Sequence, residues 1–296
     1  MVSRDPSILL CSILGMDVGV RIHKRRMQEW RAIREKYADK PRAALGFRIY
    51  LNPEDSSPVS SSIAADGFLD LPLTSLLLKI LKPGMCVVDV GANLGYYTLL
   101  ASKIVREHGT VYSFEPEPVN FRLFNMSLGE NQSHNVLQLQ EAVSDTWGII
   151  KLYRADASQP QQHSIAFDWG KGAENVKSIT LDQFWEIEGR PQIDLVKVHV
   201  VGEDPLVLRG AKRVLNQVRP MVTMVFDPPK WRSEAQLLTS IFALYNVYEI
   251  VQSPFLIKPI QPSSLERSRG KARELFLNPR KDSPPRTKNT FSAPSK

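Results

Sequence analysis

Val87-Val88-Asp89-Val90-Gly91-Ala92-Asn93-Leu94-Gly95 decides how the rest of this 296-residue chain is read. Met85 to Val90 is a short, apolar, β-branched run, the pattern of a buried strand. Gly91 follows at once, Gly95 comes four residues later, and Leu94, Thr98, Leu99, Ala101, Ile104 and Val105 then recur with helical period. Strand, glycine turn and helix in that order open a doubly wound nucleotide-binding fold. Gly91 can adopt the positive φ of a tight turn and bring bare backbone close to a ligand. The helix start is expected to offer unpaired N–H groups to the same ligand.

Thr110-Val111-Tyr112-Ser113-Phe114 reads as the next strand, with Glu115 at its end. That is about 20 residues past the turn, where a ribose-reading carboxylate belongs. A carboxylate accepts from both ribose hydroxyls but repels a 2′-phosphate. The dinucleotide fingerprint G-x-G-x-x-G is absent, because Gly91-Ala92-Asn93-Leu94-Gly95 is only G-x-x-x-G. Asp89, two residues before the turn, would repel a pyrophosphate and suits a cationic amino-acid end. These features favour S-adenosyl-L-methionine over NAD. A glycine turn alone is also what any βαβ connection contains; Asp89, Asn93 and Glu115 together carry the cofactor reading.

Val88 to Thr98 and Phe114-Glu115-Pro116 resemble the FkbM family of S-adenosylmethionine-dependent methyltransferases. So do Leu81-Lys82-Pro83-Gly84, Ala142-Val143-Ser144-Asp145, Thr180-Leu181-Asp182 and Pro205 to Ala211, so the resemblance runs from about Gly67 to Phe226. It implies an α/β fold of class I, Rossmann-like: a doubly wound, mostly parallel seven-stranded sheet. It also implies O-methylation of a hydroxyl on a sugar or other small molecule. Asp89, Gly91, Ala92, Asn93, Gly95, Tyr96 and Glu115 become the expected cofactor contacts. Glu141 and Ala142 join them after the third strand, where the fold class meets adenine.

The formal charge of +7 first suggests a nucleic-acid partner. Most of the excess lies beyond Pro262, in Arg267, Arg269, Lys271, Arg273, Arg280, Lys281, Arg286, Lys288 and Lys296, and this segment reads as a basic, mostly disordered tail. The expected organisation is an N-terminal extension over 1–44, a methyltransferase domain over 45–261 and the tail over 262–296. Ser7 to Val20 lacks the basic start of a secretory signal, and no run is long enough to span a membrane. Two cysteines, Cys11 and Cys86, suit a reducing compartment, and the expectation is cytoplasmic. Arg21 to Tyr37 is basic and amphipathic: a helix packed on the domain, or one that meets a membrane surface or partner.

Asn52 to Ser62 reads as a loop, and Phe68 to Leu81 as a helix. Val136 to Leu139, Gly148 to Tyr153, Ile193 to Val200 and Pro220 to Phe226 read as strands, with closing strands at Tyr248 to Val251 and Phe255 to Ile257. Arg154 to Lys177 is a long polar connection of the kind that forms lids and binding loops. Asp182 and Asp204 are placed to cap helices.

Catalytic groups belong after the strands ending at Val198 and Phe226. Here the chain departs from the family, whose motif K-I-D-V-E-G-A-E-P becomes Lys197-Val198-His199-Val200-Val201-Gly202-Glu203-Asp204-Pro205. His199 stands for an Asp and Val201 for a Glu. His199 is the candidate general base, or a neutral core histidine. Lys197 and Asp227, which closes the next strand, complete the catalytic candidates. No Cys/His cluster has metal-ligand spacing, so no metal site is expected. The expected partner is a small hydroxylated substrate rather than a nucleic acid. The rival readings are a binding or regulatory protein whose catalytic motif has decayed, and an RNA methyltransferase anchored by its tail.

Overall fold

The computed structural model describes residues 16–55, 58–154, 164, 165, 168, 170–200, 202–251, 257–266 and 272–280. Cys11, Val201, half of the connection over 154–177, the start of the expected closing strand at Phe255 and everything beyond Arg280 lie outside them.

Helix α1 (Met16–Ile33) leads through a 3-10 turn (Arg34–Tyr37) into a hairpin of β1 (Arg42–Ala44) and β2 (Phe47–Ile49). Helices α2 (Pro58–Asp66) and α3 (Leu71–Ile80) follow. The chain then alternates through β3 (Cys86–Val90), α4 (Tyr96–Val105), β4 (Thr110–Phe114), α5 (Pro118–Asn131) and β5 (Val136–Leu139). Strands β6 (Ala142–Val143), β7 (Gly148–Tyr153) and β8 (Ala173–Ile179) form a small sheet of order β6-β8-β7. The alternation resumes with α6 (Leu181–Ile187), β9 (Leu195–Val198), α7 (Asp204–Arg209), β10 (Met221–Phe226), α8 (Ala235–Leu244) and β11 (Tyr245–Ile250). Strand β12 (Ile257–Pro259), helix α9 (Pro262–Glu266) and β13 (Arg273–Pro279) close the described chain.

The main sheet has the order β12-β11-β13-β10-β9-β3-β4-β5. It has eight strands rather than the expected seven, because β12 pairs on the outer edge of β11. Strands β10, β9, β3, β4 and β5 pair in parallel, and β13 is antiparallel to both β10 and β11. The strand β-branching explains the layering. Val88, Val90, Val196 and Val198 point to one face, against Phe184, Val207 and Leu215. Val87, Val111 and Leu195 point to the other, against Tyr96, Leu99 and Leu100. Each such side chain removed from water contributes about 1.5–3 kcal/mol.

Four sequence expectations change. Residues 273–279, assigned to a disordered tail, instead form β13, inserted between β10 and β11. The apolar triplet Leu275-Phe276-Leu277 is buried on both faces, which outweighs the basic, proline-rich flanks. The domain therefore reaches to about residue 280, and two of the tail's cations are structural: Arg273 lies 3.5 Å from Glu249, and Arg280 Nε donates to the Tyr245 carbonyl. Within the supposed loop 52–62, α2 begins at Pro58, and Asp55 accepts from the Ser60 N–H. Thr180, not Asp182, caps α6 through a reciprocal capping box with Gln183, while Asp182 accepts from the Arg213 and Val214 N–H groups. Asp204 lies inside α7 rather than capping it. Its buried carboxyl accepts from the Val225 N–H and so ties α7 to β10.

Helix α1 packs on the domain. Trp30 is buried, its Nε1 donates to the Asp55 carbonyl at 2.7 Å, and Arg26 pairs with Asp66 at 2.7 Å. Among the described residues no helix is long and apolar enough to cross a membrane, and no cluster of His, Cys, Asp and Glu is arranged to hold a metal.

Candidate active site

Chain order reverses between β3 and β9: β4 and β5 lie to one side of β3, β9 and β10 to the other. A crevice opens at such a switch point, beyond the carboxyl ends of the strands. Here it is a cavity of about 680 Å³, within the range of small-molecule sites.

The glycine turn forms its floor. Gly91 has φ +75°, and a Cβ there would lie 2.4 Å from the His199 carbonyl oxygen. Glycine is required because the end of β9 passes directly over the turn. Gly95, at φ +85°, starts α4 with its bare Cα against the Phe124 ring. The turn's own N–H groups are taken up within the protein, and the open donors are those of the first turn of α4. Gly91 and Ala92 donate to the Phe114 carbonyl, Asn93 to Glu115 Oε2 at 2.7 Å, Leu94 to the Asn93 side chain and Gly95 to the Ala92 carbonyl. With its donors occupied, the turn itself offers a ligand bare backbone rather than hydrogen bonds.

Glu115 reaches the cavity from the end of β4. Its Oε1 accepts from the Glu117 N–H and its Oε2 from Asn93. Burial pushes its carboxyl up to about 7, against the pull of those two N–H groups. Glu117 caps α5 by accepting from the Asn120 N–H at 2.6 Å. Asn120 lines the same wall, and its buried Oδ1 has no hydrogen-bond partner. Glu141 and Ala142 lie on the wall beyond β5. Tyr96 lines the cavity from the first turn of α4, its hydroxyl 3.2 Å from Thr74 Oγ1.

Asp89 is placed differently from the sequence expectation. It is 1% exposed and does not line the cavity. Its carboxylate accepts from Thr98 Oγ1 at 2.7 Å and from Lys197 Nζ at 2.8 Å. The same Lys197 ammonium donates to the Gly91 carbonyl at 3.0 Å and lies 5.2 Å from the centre of the Tyr97 ring. Lys197 does line the cavity, as a charge already neutralised by Asp89.

His199 also lines it, projecting beyond the end of β9. Its side chain is exposed where it meets the cavity. Burial first, and the Lys197 charge second, lower its pKa to about 4, so the imidazole is neutral at pH 7. Asp227 is not brought in: it precedes a 3-10 turn (Pro228–Trp231) and does not line the cavity, because β10 ends beside that turn rather than over β3. Val201 lies outside the described residues.

Several groups on this wall were not foreseen. Glu203 reaches the cavity, and its Oε1 accepts from the Ser164 hydroxyl and the Ile165 N–H, pinning part of the 154–177 connection beside the site. Asp70, Tyr97 and Asn120 also line it. Glu117 and Asn120 had a legible signal, the Pro116-Glu117-Pro118 helix start right after Glu115. Asp70 and Glu203 had none, because their approach depends on contacts distant in sequence.

An open doubly wound α/β sheet with this cavity at its switch point, a glycine turn below and a buried acid at the end of the second strand defines a class I methyltransferase. A profile for the methyltransferase FkbM domain matches residues 89–246. This chain belongs to the FkbM methyltransferase family. It is 28% identical over 176 residues to the hexuronic acid methyltransferase AglP of Haloferax volcanii, covering 57% of this chain and 70% of that protein. It is 25% identical over 186 residues to the 2-O-methyltransferase NoeI of Sinorhizobium fredii, covering 57% and 74%. Among solved structures, the FkbM methyltransferase of Methylobacillus flagellatus KT aligns with a TM-score of 0.42 at 11% identity, over 86% of this chain and 58% of that one.

Proposed function

We propose that this chain transfers a methyl group from S-adenosyl-L-methionine to a hydroxyl of a sugar, with a hexuronic-acid unit as the first substrate class to test. The observation that carries the reading is the acceptor-rich wall of Glu115, Asn120 Oδ1 and Glu141 beside a turn with no free donors. An adenosine brings donors, its ribose hydroxyls and exocyclic amino group, and no phosphate, so the donor set fits. Glu115 would hold the ribose and Glu141 the amino group. Gly91, Ala92 and Asn93 support the cofactor from below, and Tyr96 closes the wall. The family supports methyl transfer, the name of NoeI supports an oxygen acceptor, and the name of AglP supports a hexuronic acid as the substrate class.

The cofactor would supply an electrophilic methyl on a sulfonium. The chain's task is then to orient the acceptor oxygen and take its proton. His199 is the candidate for that proton. It is neutral at pH 7, so an imidazole nitrogen is free to accept from the hydroxyl. A base with a pKa of about 4 is weak. It suffices if the proton leaves as the C–O bond forms, when the oxygen is far more acidic than an alcohol. Lys197 acts by position: it holds Asp89 and the Gly91 carbonyl, which fixes the turn against the end of β9.

The test is methyl transfer from labelled S-adenosylmethionine to hexuronic-acid acceptors, free and with the 2-hydroxyl already methylated. His199→Ala should lower kcat by about 10²-fold and leave S-adenosylhomocysteine affinity within about threefold, since the imidazole is assigned to the acceptor side. Unchanged turnover in this variant overturns the base role. Tight cofactor binding with no transfer to any hydroxylated acceptor overturns the sugar reading.

A further inference from the structure

Asp89 was the natural receiver for the cofactor's ammonium group, and the structure removes it: the carboxylate lies behind the cavity wall and is neutralised by Lys197. The ammonium therefore needs another acceptor. Asp70 lines the cavity from the start of α3, where its side chain accepts from the Leu73 N–H at 3.2 Å. Glu274, carried in by β13, is hydrogen-bonded to Asp70. Two carboxyl groups in one hydrogen bond share one proton, and burial together with the Asp70 charge raises Glu274 to about 8. Burial raises Asp70 as well, and Asp70 is the member of the pair that lines the cavity.

A second observation points to a ligand at the same place. Tyr97 is 6% exposed and lines the cavity, and its hydroxyl has no hydrogen-bond partner. Thr74 lies close by, but its hydroxyl proton goes to the Leu69 carbonyl at 2.5 Å. Burial first, and the charges of Asp70 and Glu274 after it, keep the Tyr97 hydroxyl protonated. A buried phenol oxygen left without a partner is costly unless something reaches it. An ammonium has three N–H donors and no acceptor, which matches one carboxylate and one phenol oxygen.

We propose that Asp70, braced by Glu274 and flanked by the Tyr97 hydroxyl, binds the α-ammonium group of the cofactor's amino-acid end. This rests on the S-adenosylmethionine reading above. It makes the wall formed by Asp70 and the first turn of α4, backed by β13, the amino-acid subsite.

The test compares two ligands by calorimetry: S-adenosylhomocysteine, which has the amino-acid end, and 5′-methylthioadenosine, which lacks it. In Asp70→Asn the homocysteine compound should lose about 10- to 100-fold in affinity and methylthioadenosine should stay within about threefold. Asparagine retains the helix cap and tolerates the positive φ of 38° at this position, so the fold should survive. Tyr97→Phe, which deletes one oxygen, should show the same selectivity at about three- to tenfold. Equal losses for both ligands, or no loss for S-adenosylhomocysteine, would overturn the proposal and leave the cofactor reading standing. Wild-type protein that binds neither ligand at millimolar concentration would overturn both. If Asp70→Asn instead raises KM for an amino-sugar acceptor without affecting S-adenosylhomocysteine, the ammonium belongs to the acceptor and the proposal fails.

Discussion

On one side of β3 the sheet continues through β4 and β5, each joined to the last by a single helix, so strands that pair are near neighbours in sequence. On the other side it continues through β9 and β10 and then takes in β13, which comes from beyond α8, β11, β12 and α9. The first side supplies Glu115, Glu117, Asn120 and Glu141. The second supplies Lys197, His199, Glu203 and Glu274. The wall proposed for the cofactor's adenosine thus rests on local βα units, and the wall proposed for the acceptor rests on long-range pairing. Local units keep a constant ligand in a constant place. The long-range side carries His199, the proposed base.

The sharpest way to break this comparison is to remove β13. Ending the chain after Glu266 strips Leu275 and Leu277 from one core and Phe276 from the other. At about 1.5–3 kcal/mol for each side chain, that approaches the whole stability of a typical domain. Cooperative thermal unfolding should disappear, whereas ending the chain after Arg280 should preserve it. A cooperative transition that survives the shorter truncation would mean that the long-range side is an accessory. Next in size is Gly91→Ala, which acts on the seam between the two sides. Its Cβ meets the His199 carbonyl in a left-handed backbone, and the denaturant midpoint should fall by an equivalent of about 2–4 kcal/mol. A change under about 0.5 kcal/mol would show that β9 does not need to cross the turn so closely.

The smallest effect is a pair of opposite pH slopes. Glu115 is raised to about 7, and Glu274 and Asp204 to about 8. A carboxyl raised on folding contributes stability that is fully present below its unfolded pKa of about 4 and is lost as pH rises through the folded value. Stability should therefore decline between about pH 5 and 9, the upper part flattening in Glu274→Gln. Cofactor affinity should run the other way, because ribose hydroxyls need the ionised form of Glu115. It should rise roughly tenfold from pH 6 to 8 in wild type and lose most of that slope in Glu115→Gln. An unchanged slope in Glu115→Gln would assign the titration to another group.

The same division governs what could be read from residues alone. Met85 to Glu115 was legible because a β-branched run, a glycine turn and a helical period leave short-range marks. Val136 and Gly148 each begin a strand where the sequence placed one. Strand β13 was missed although Leu275-Phe276-Leu277 is a strand pattern, because its basic, proline-rich surroundings dominate composition averaged over the tail. Asp89 was read as a ligand group because its partner Lys197 is 108 residues away. Asp227 sits at a strand end, as catalytic groups do, and only the three-dimensional path of β10 shows that this end does not open on the cavity. Asp70 had no signal, since its meaning comes from Glu274 across the fold.

The position of β13 also has a consequence in time. A ribosome delivers β10 and β11 well before residues 273–279, so both strands wait with an unpaired edge facing a gap that only a later segment can fill. Unpaired edges are templates for association with other chains. Pairing of high sequence separation is slow because loop closure precedes any reward. This protein should therefore be most vulnerable to aggregation just before Pro279 emerges, and slower synthesis through residues 250–280 should lower its soluble yield.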